Sequence, residues 1–279
     1  MKKILVLSLL AAFAALPLAA AAAEASAYAD VLSAYVYRGQ VGNDEAVFQP
    51  GLDVSGPLGL GATFWGSMNL TDNQSVWYPD SAGEWGEYNL GLNWTCPGEG
   101  PVTLSLGGLT FVYPQDSSEV ETDDAGAAVL GDDGLPVVSK SPADGGYEVF
   151  VEAAAENVIL QPTVRFCHDL DNTDDWIALL SISHSLPVSD ALSLDLGATL
   201  GYAGDYYVET NYGSDAGAAF THAQFDAGLN YALTEKASVG LKGSFSTILD
   251  GDVRDDIDAN DVYPETDIFY GGVTASYSF

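Results

Sequence analysis

Eight charged residues lie singly within segments that otherwise alternate between apolar and small polar residues. Each occupies the polar positions of its segment, and alternate residues of a β-strand point to opposite faces of a sheet. In a barrel these side chains would face the lumen, where acids favour cations. The set predicts either a cation-preferring pore lining or acids that only bind water and hydroxyl groups inside a filled barrel: Asp53, Glu87, Glu148, Glu152, Arg165, Asp195, Asp226 and Lys242.

The lengths of two turns predict partners for the two basic residues of this set. A two-residue turn at 156–157 would place Glu148 opposite Arg165, and a turn centred near position 234 would place Asp226 opposite Lys242. Opposite charges across paired strands are mildly stabilising. On this register the lumen is net negative, because four acids keep no basic partner: Asp53, Glu87, Glu152 and Asp195.

Most of the remaining acids concentrate in segments without alternation. Segment 113–145 holds eight acids against Lys140, and segment 250–267 holds eight against Arg254. These segments are expected to be solvated loops, or to bind divalent cations through hard carboxylate oxygens. The stretch "DLDNTDD" begins like a calcium loop but lacks the turn Gly and the late Glu, so no formed EF-hand-type site is expected. Its candidate ligands for loosely bound Ca²⁺ or Mg²⁺ are Asp169, Asp171 and Asp174.

The three histidines permit a hydrolase reading, in which a His beside an acid activates water. His222 with Asp215, or His168 with Asp169, could form such a pair, whereas His184 lies at an apolar position between two serines. No serine nucleophile motif accompanies them. The chain is therefore predicted not to be an enzyme and to need no cofactor.

The elements that would position these residues are twelve strands, because period-two alternation recurs in segments of about ten residues. The fold class predicted is all-β, a 12-stranded antiparallel up-and-down transmembrane barrel. The lipid-facing parity of the first strand is left open. The strands are expected at 30–39, 46–56, 59–70, 85–95, 102–113, 146–156, 158–168, 175–186, 191–203, 221–232, 236–249 and 267–279.

The connections alternate between short and long. Those after even-numbered strands are short, and most of those after odd-numbered strands are long and acidic, as in bacterial outer-membrane barrels. Both chain ends then fall on the short-turn, periplasmic side. Cys96 and Cys167 lie at opposite rims on this layout, too far apart for a disulfide.

The two ends of the sequence agree with export to the outer membrane of a Gram-negative cell. Residues 1–23 resemble a signal peptide, with Lys2 and Lys3 before an apolar run and cleavage that could fall as late as residue 27. Residues 24–279 would form one barrel domain. The last strand places an aromatic or apolar residue at every second position and ends on Phe279. The formal net charge of −32 excludes nucleic acid as a partner, because phosphates would be repelled.

Residues 33–70, "SAYVYRGQVGNDEAVFQPGLDVSG…LGLGATFWGSMNL", resemble the TorF-type putative porins, bacterial outer-membrane proteins long catalogued as conserved hypotheticals. The resemblance lies in the Ser-x-Tyr-x-Tyr-Arg-Gly start, a Gln after it, and an aromatic-rich third strand with Trp65 and Ser67. "ISHSLPV" at 182–188 and the terminal Phe also match. The resemblance implies an outer-membrane barrel with possible pore activity and brings no catalytic residues.

Three functions follow as expectations. The first is a porin-like, cation-preferring channel for passive diffusion of small ions or solutes, surrounded by outer-membrane lipid. The second is a closed barrel, filled by Trp65, Phe111, Phe150 and segment 113–145, whose acidic loops bind divalent cations or a surface partner. The third is the hydrolase at the rim. The transported solute and the oligomeric state are not encoded in any recognisable motif.

Overall fold

A computed structural model describes residues 24–73, 81–98, 100–114, 116–120, 138–142, 145–260 and 262–279. The predicted signal peptide, residues 1–23, lies outside the described residues. No described helix is long and apolar enough to cross a membrane.

Twelve strands form one closed antiparallel barrel, which confirms the predicted fold class. The first and last strands close it, with Ser26 opposite Ser278 and Leu32 opposite Gly272. With strands numbered along the chain, the wall consists of β1 (Glu24–Leu32), β4 (Val47–Ser55), β5 (Leu60–Asn69), β6 (Trp85–Thr95), β7 (Thr103–Val112), β10 (Gly146–Ala154), β11 (Thr163–Asp169), β12 (Trp176–Pro187), β13 (Leu192–Ala203), β14 (Ala219–Ala232), β15 (Ala237–Ile248) and β16 (Asp267–Ser278).

The outer surface of the wall is apolar, because the registers align the apolar positions of neighbouring strands. One row runs from Leu229 through Leu241 and Val273 to Val31. Phe245 stacks against Phe269 with ring centroids 4.3 Å apart. Large apolar side chains exposed on this scale suit lipid, and a closed barrel leaves no backbone edge unpaired within it.

The two ends of the barrel differ. At the short-turn end, which also holds both termini of the described chain, the turns are 56–59, 96–102, 155–162, 188–191 and 233–236. At the long-loop end the connections carry structure of their own. Two hairpins, β2 (Tyr35–Tyr37) with β3 (Gln40–Asn43) and β8 (Asp116–Val120) with β9 (Val138–Pro142), and two helices, α1 (Asp205–Tyr212) and α2 (Gly251–Asn260), lie there.

Local sequence signals account for the two helices. Helix α1 ends at Gly213, whose φ of 66° forms the left-handed cap that glycine accepts readily. Helix α2 begins after Asp250, whose carboxylate accepts the backbone N–H groups of Asp252 and Val253. Both helices direct apolar residues inward, and Val208, Tyr212, Val253 and Ile257 are fully buried.

The prediction for the first strand was wrong. Residues 24–32 form β1, whereas 30–39 was expected. Leu32 pairs with Val47, so the wall is complete at that level and residues 33–46 leave it. Arg38 and Gly39 have φ of 54° and 83° and form a two-residue turn that reverses the chain. With Tyr28 and Asp30 on the inner face, the lipid-facing residues of β1 are Ala27, Ala29 and Val31.

The predicted seventh strand, 158–168, also begins too early. Strand β11 starts at Thr163, and residues 155–162 form a wide turn in place of two residues at 156–157. Successive backbone hydrogen bonds from Val158 to Ala155 and from Gln161 to Val158 build this turn. Leu160 and Gln161 have positive φ, which an extended strand does not allow.

Candidate functional site

The hairpin β2–β3 folds into the lumen and lies across it. Ala34 and Val41 are buried against Ile268 of β16, on one side of the wall. At its turn, Gly39 lies so close to β14 that a Cβ atom there would come within 2.7 Å of the Cβ of His222. Such an approach requires glycine, which also accepts the positive φ at this position.

Arg38 fixes the tip of the hairpin to the far wall. Its Nη1 and Nη2 atoms donate to the two carboxylate oxygens of Glu148 at 2.7 and 2.9 Å, and Nη1 also donates to the phenol oxygen of Tyr207 at 2.9 Å. Nη2 donates to the Sγ atom of Cys167 at 3.4 Å. The side chains of Arg38 and Glu148 are 8% and 3% exposed, so the ion pair is buried and bidentate.

Helix α1 holds the same turn from above. The Tyr212 hydroxyl donates to the backbone oxygen of Arg38 at 2.7 Å. Burial raises the pKa values of Tyr207 and Tyr212 above the ordinary phenol range, so both hydroxyls keep their protons and can donate. The hairpin and the helix are therefore joined by hydrogen bonds as well as by packing.

The first arm of the hairpin contacts the wall formed by β5, β6 and β7. The Tyr35 hydroxyl donates to Glu87 at 2.8 Å, and its ring lies 5.3 Å from that of Trp65. Tyr37 meets Phe111 edge to face at 6.0 Å. Trp65 and Phe111, two of the three aromatic residues expected to fill a closed lumen, thus contact the hairpin, whereas Phe150 packs against Arg165 and segment 113–145 lies largely outside the described residues.

The second arm is fixed by a buried chain of amides and hydroxyls. Asn43 donates to Asn69, which donates to Ser81, both at 2.7 Å. The Tyr263 hydroxyl bonds Gln40 at 2.9 Å. Buried polar groups of this kind are costly unless they are paired, so the network specifies one position for the hairpin.

All eight charged residues predicted from the sequence lie on the inner face of the wall, but their pairing differs from the prediction. Glu152, not Glu148, is opposite Arg165, and Arg165 Nε donates to Glu152 Oε2 at 2.7 Å. The prediction was wrong because the turn 155–162 is wider than two residues. Glu148 instead binds Arg38, which lies at the turn of the hairpin and not in the predicted first wall strand.

The predicted partner of Lys242 was also wrong, by two residues along the facing strand. Lys242 is opposite Gly228, because the turn 233–236 is centred one residue later than expected. Its Nζ atom binds Asp30 of β1 at 2.6 Å. Asp226 is instead hydrogen-bonded by Gln224 and Ser244.

Four inward-facing acids form no ion pair with a described residue: Asp53, Glu87, Asp195 and Asp226. Glu87 is buried beneath Tyr35, and Asp195 accepts a hydrogen bond from Asn230. Asp53 has no hydrogen-bond or ion-pair partner within the described ranges. Asp53, Asp195 and Asp226 are only partly buried.

The candidate metal ligands do not converge. Asp169 Oδ1 accepts the backbone N–H groups of Asp171 and Asn172 at 2.9 and 2.8 Å, which makes it a turn-forming residue. Asp174 lies 3.4 Å from His168 Nε2. Among the described residues, no group of three or more His, Cys, Asp or Glu side chains could hold a metal ion.

His222 does not belong to a solvent-accessible His–acid pair, whereas His168, 35% exposed, lies beside the exposed Asp174 and not beside the predicted Asp169. His222 is 2% exposed beneath Gly39 and bonds Thr221 at 3.0 Å, so a substrate could not reach it in this conformation. His184, opposite Leu196, lies on the outer face. Cys96 follows β6 at the short-turn end, whereas Cys167 is buried under Arg38 nearer the long-loop end, and both are free thiols.

Comparisons with known proteins found likeness only in structure. No family model matches the chain, and no curated protein matches it. A solved structure described as the KdgM porin is 8% identical, with 91% of this chain and 99% of that chain covered at a TM-score of 0.49. The NanC porin is 12% identical, with 90% and 98% covered at a TM-score of 0.47. OmpT of Vibrio cholerae is 10% identical, with 92% and 97% covered at 0.40.

Proposed function

We propose that this protein is an outer-membrane channel for passive diffusion of small solutes, narrowed by the hairpin β2–β3. The observation that carries the proposal is the division of the lumen into two halves. Below the hairpin, the wall is polar and carries three partly exposed acids that form no ion pair with a described residue: Asp53, Asp195 and Asp226. At the hairpin, the cross-section is reduced by side chains fixed to opposite walls. Porin selectivity commonly depends on the charges and the diameter of such a constriction.

The channel is expected to prefer cations. An acid that is not neutralised in a lumen with low-dielectric walls raises the local concentration of cations and repels anions. The basic inward residues are each paired with an acid, as Arg38 is with Glu148, so they offset little of this field. Small monovalent cations are therefore the favoured solutes by charge.

We infer the orientation in the membrane from the difference between the two ends of the barrel. We place the long-loop end outside the cell and the short-turn end, with both termini, in the periplasm, as in other bacterial barrels. The resemblance of residues 33–70 to the TorF-type porins supports a pore in the outer membrane, and the Tyr-x-Tyr-Arg-Gly stretch that carries it lies in the hairpin that narrows the lumen.

A second function has support from a specific observation. The hairpin and the two helices bury Val41, Val208 and Val253 completely, which is the packing of a closed core. A barrel that stays closed would act through its acidic outer loops, binding divalent cations or a surface partner. A measurement of transport distinguishes a closed barrel from a channel.

Conductance of the purified protein in a planar bilayer, with the reversal potential under a KCl gradient, tests the proposal. A cation-preferring channel should give small, stable conductance steps and a reversal potential that is shifted from zero towards the equilibrium potential of K⁺. Folded protein that inserts and gives no steps would support the closed barrel instead.

A further inference from the structure

A pocket in the lower half of the lumen has the chemistry of a ligand site. Its volume is about 320 Å³, and it lies at the short-turn end against β5, β6, β7, β10 and β11. This volume is at the small end of the range typical of ligand pockets, roughly 300–1,000 Å³. Arg165, Glu152 and Phe150 line the pocket. Its other polar lining residues are Thr63, Asn93, Thr95, Thr103, Ser105 and Glu156.

Arg165 is held rigidly in this pocket while most of its donors stay free. Its Nε atom donates to Glu152, and its guanidinium lies over the ring of Phe150, 4.4 Å from the centroid. Stacking of this kind fixes the plane of the guanidinium. Neither Nη atom has an acceptor among the described residues, and the side chain is 35% exposed. A guanidinium with two free Nη groups matches a carboxylate bidentately.

Glu152 supplies the opposite charge beside it. One carboxylate oxygen accepts from Arg165, and the other has no hydrogen-bond partner within the described residues. An ionised carboxylate accepts several hydrogen bonds, so it can bind an ammonium group next to the guanidinium. The pocket thus presents a donor pair and an acceptor side by side.

The field of the lumen decides which ligand fits both groups. Asp53, Asp195 and Asp226 would repel a free anion, and a simple cation would leave the donors of Arg165 unused. A small zwitterion carries no net charge and satisfies both groups at once. We propose that this pocket binds a small zwitterion of the α-amino-acid type, with its carboxylate on Arg165 and its ammonium on Glu152. The inference rests on the proposed channel function and gives it a substrate class.

Ligand-observed saturation-transfer NMR on the full barrel in detergent micelles tests this assignment. The probes are glycine, acetate, methylammonium and glucose, which separate a zwitterion from an anion, a cation and a neutral polyol. Glycine should give the strongest transfer. Arg165→Gln should weaken glycine binding by about tenfold or more, since a charge-assisted hydrogen bond contributes roughly 1.5–3 kcal/mol. Arg165→Lys should restore only part of it, because the charge remains and the planar fork is lost.

Lys236→Gln is the control, because it removes one positive charge from an exposed turn outside the lumen and the pocket. It should leave glycine binding unchanged. Glycine binding that survives Arg165→Gln, or acetate or glucose that binds as tightly as glycine, would overturn the assignment. Conductance without glycine binding would overturn only the assignment of this pocket. Glycine binding in a barrel that gives no steps would retain the pocket and reject the channel.

Discussion

At the scale of single residues, Arg38 is the contact on which the position of the hairpin depends. Its guanidinium is buried and joins Glu148, Tyr207 and Cys167. Sequence reasoning missed it because alternation continues from Tyr35 to Tyr37 and disguises the turn that follows. The adjacent Arg38-Gly39 pair, a non-alternating break, was the available signal.

We expect Arg38→Gln to destabilise the folded barrel by about 3–5 kcal/mol, because it leaves the buried charge of Glu148 uncompensated. Unfolding by urea in detergent micelles measures the change. The double variant Arg38→Gln/Glu148→Gln should recover part of the loss. Lys236→Gln in an exposed turn is the control and should change the free energy of unfolding by about 0.5 kcal/mol or less. Equal losses for Arg38→Gln and Lys236→Gln would contradict the role of the buried pair.

Gly39 and Gly83 form a natural matched pair, since both have φ of 83°. A Cβ at Gly39 would meet His222, whereas a Cβ at Gly83 meets nothing within 4 Å. Gly83→Ala should therefore cost only the left-handed strain, about 1–2 kcal/mol. Gly39→Ala should cost more and displace the hairpin. The same urea titration compares them, and equal costs would show that Gly39 does not pack against β14.

At the scale of elements, alternation located ten of the twelve wall strands within two residues of their observed ends, because one face of each strand lies on the apolar outer surface of the barrel. The prediction from alternation was wrong where residues do not have one face on the apolar outer surface. Residues 33–39 keep a period of two inside the lumen, and the turn after β10 is set by positive φ at Leu160 and Gln161, which composition does not reveal. The predicted ion pairs were wrong for the same reason, because an error in the length of a turn shifts every pairing partner of the strand that follows it.

The pairing of residues 24–26 bears on the processing of the chain. Glu24 pairs with Ser55, Ser26 pairs with Ser278, and the N–H of Phe279 donates to Ala25. Cleavage after residue 27 would remove these closing contacts, so we expect the mature protein to begin at Glu24. N-terminal sequencing of protein extracted from outer membranes checks this. A mature chain that begins at Tyr28 would contradict it.

At the scale of the whole molecule, the proposed cation channel requires a negative lumen that is constricted at the hairpin. The triple variant Asp53→Asn, Asp195→Asn, Asp226→Asn should lower the K⁺ over Cl⁻ permeability ratio, because it removes the field of the unneutralised acids. Reversal potentials at low and high KCl measure the change, and the effect should shrink at high salt, where screening is stronger. Asp252→Asn on α2 is the control for charge outside the lumen. A triple variant that matches the wild type would contradict the cation preference.

The most direct test of the central claim replaces the hairpin and measures conductance. Leu32 and Val47 are register partners, so a short Gly-containing turn can join β1 to β4 in place of residues 34–45 without altering the wall. The control lengthens the turn 188–191 at the opposite end with the same residues. If the hairpin is the constriction, single-channel conductance in planar bilayers should rise several-fold in the hairpin variant and stay unchanged in the control. Equal conductance with and without the hairpin, in folded barrels, would contradict a constriction at β2–β3.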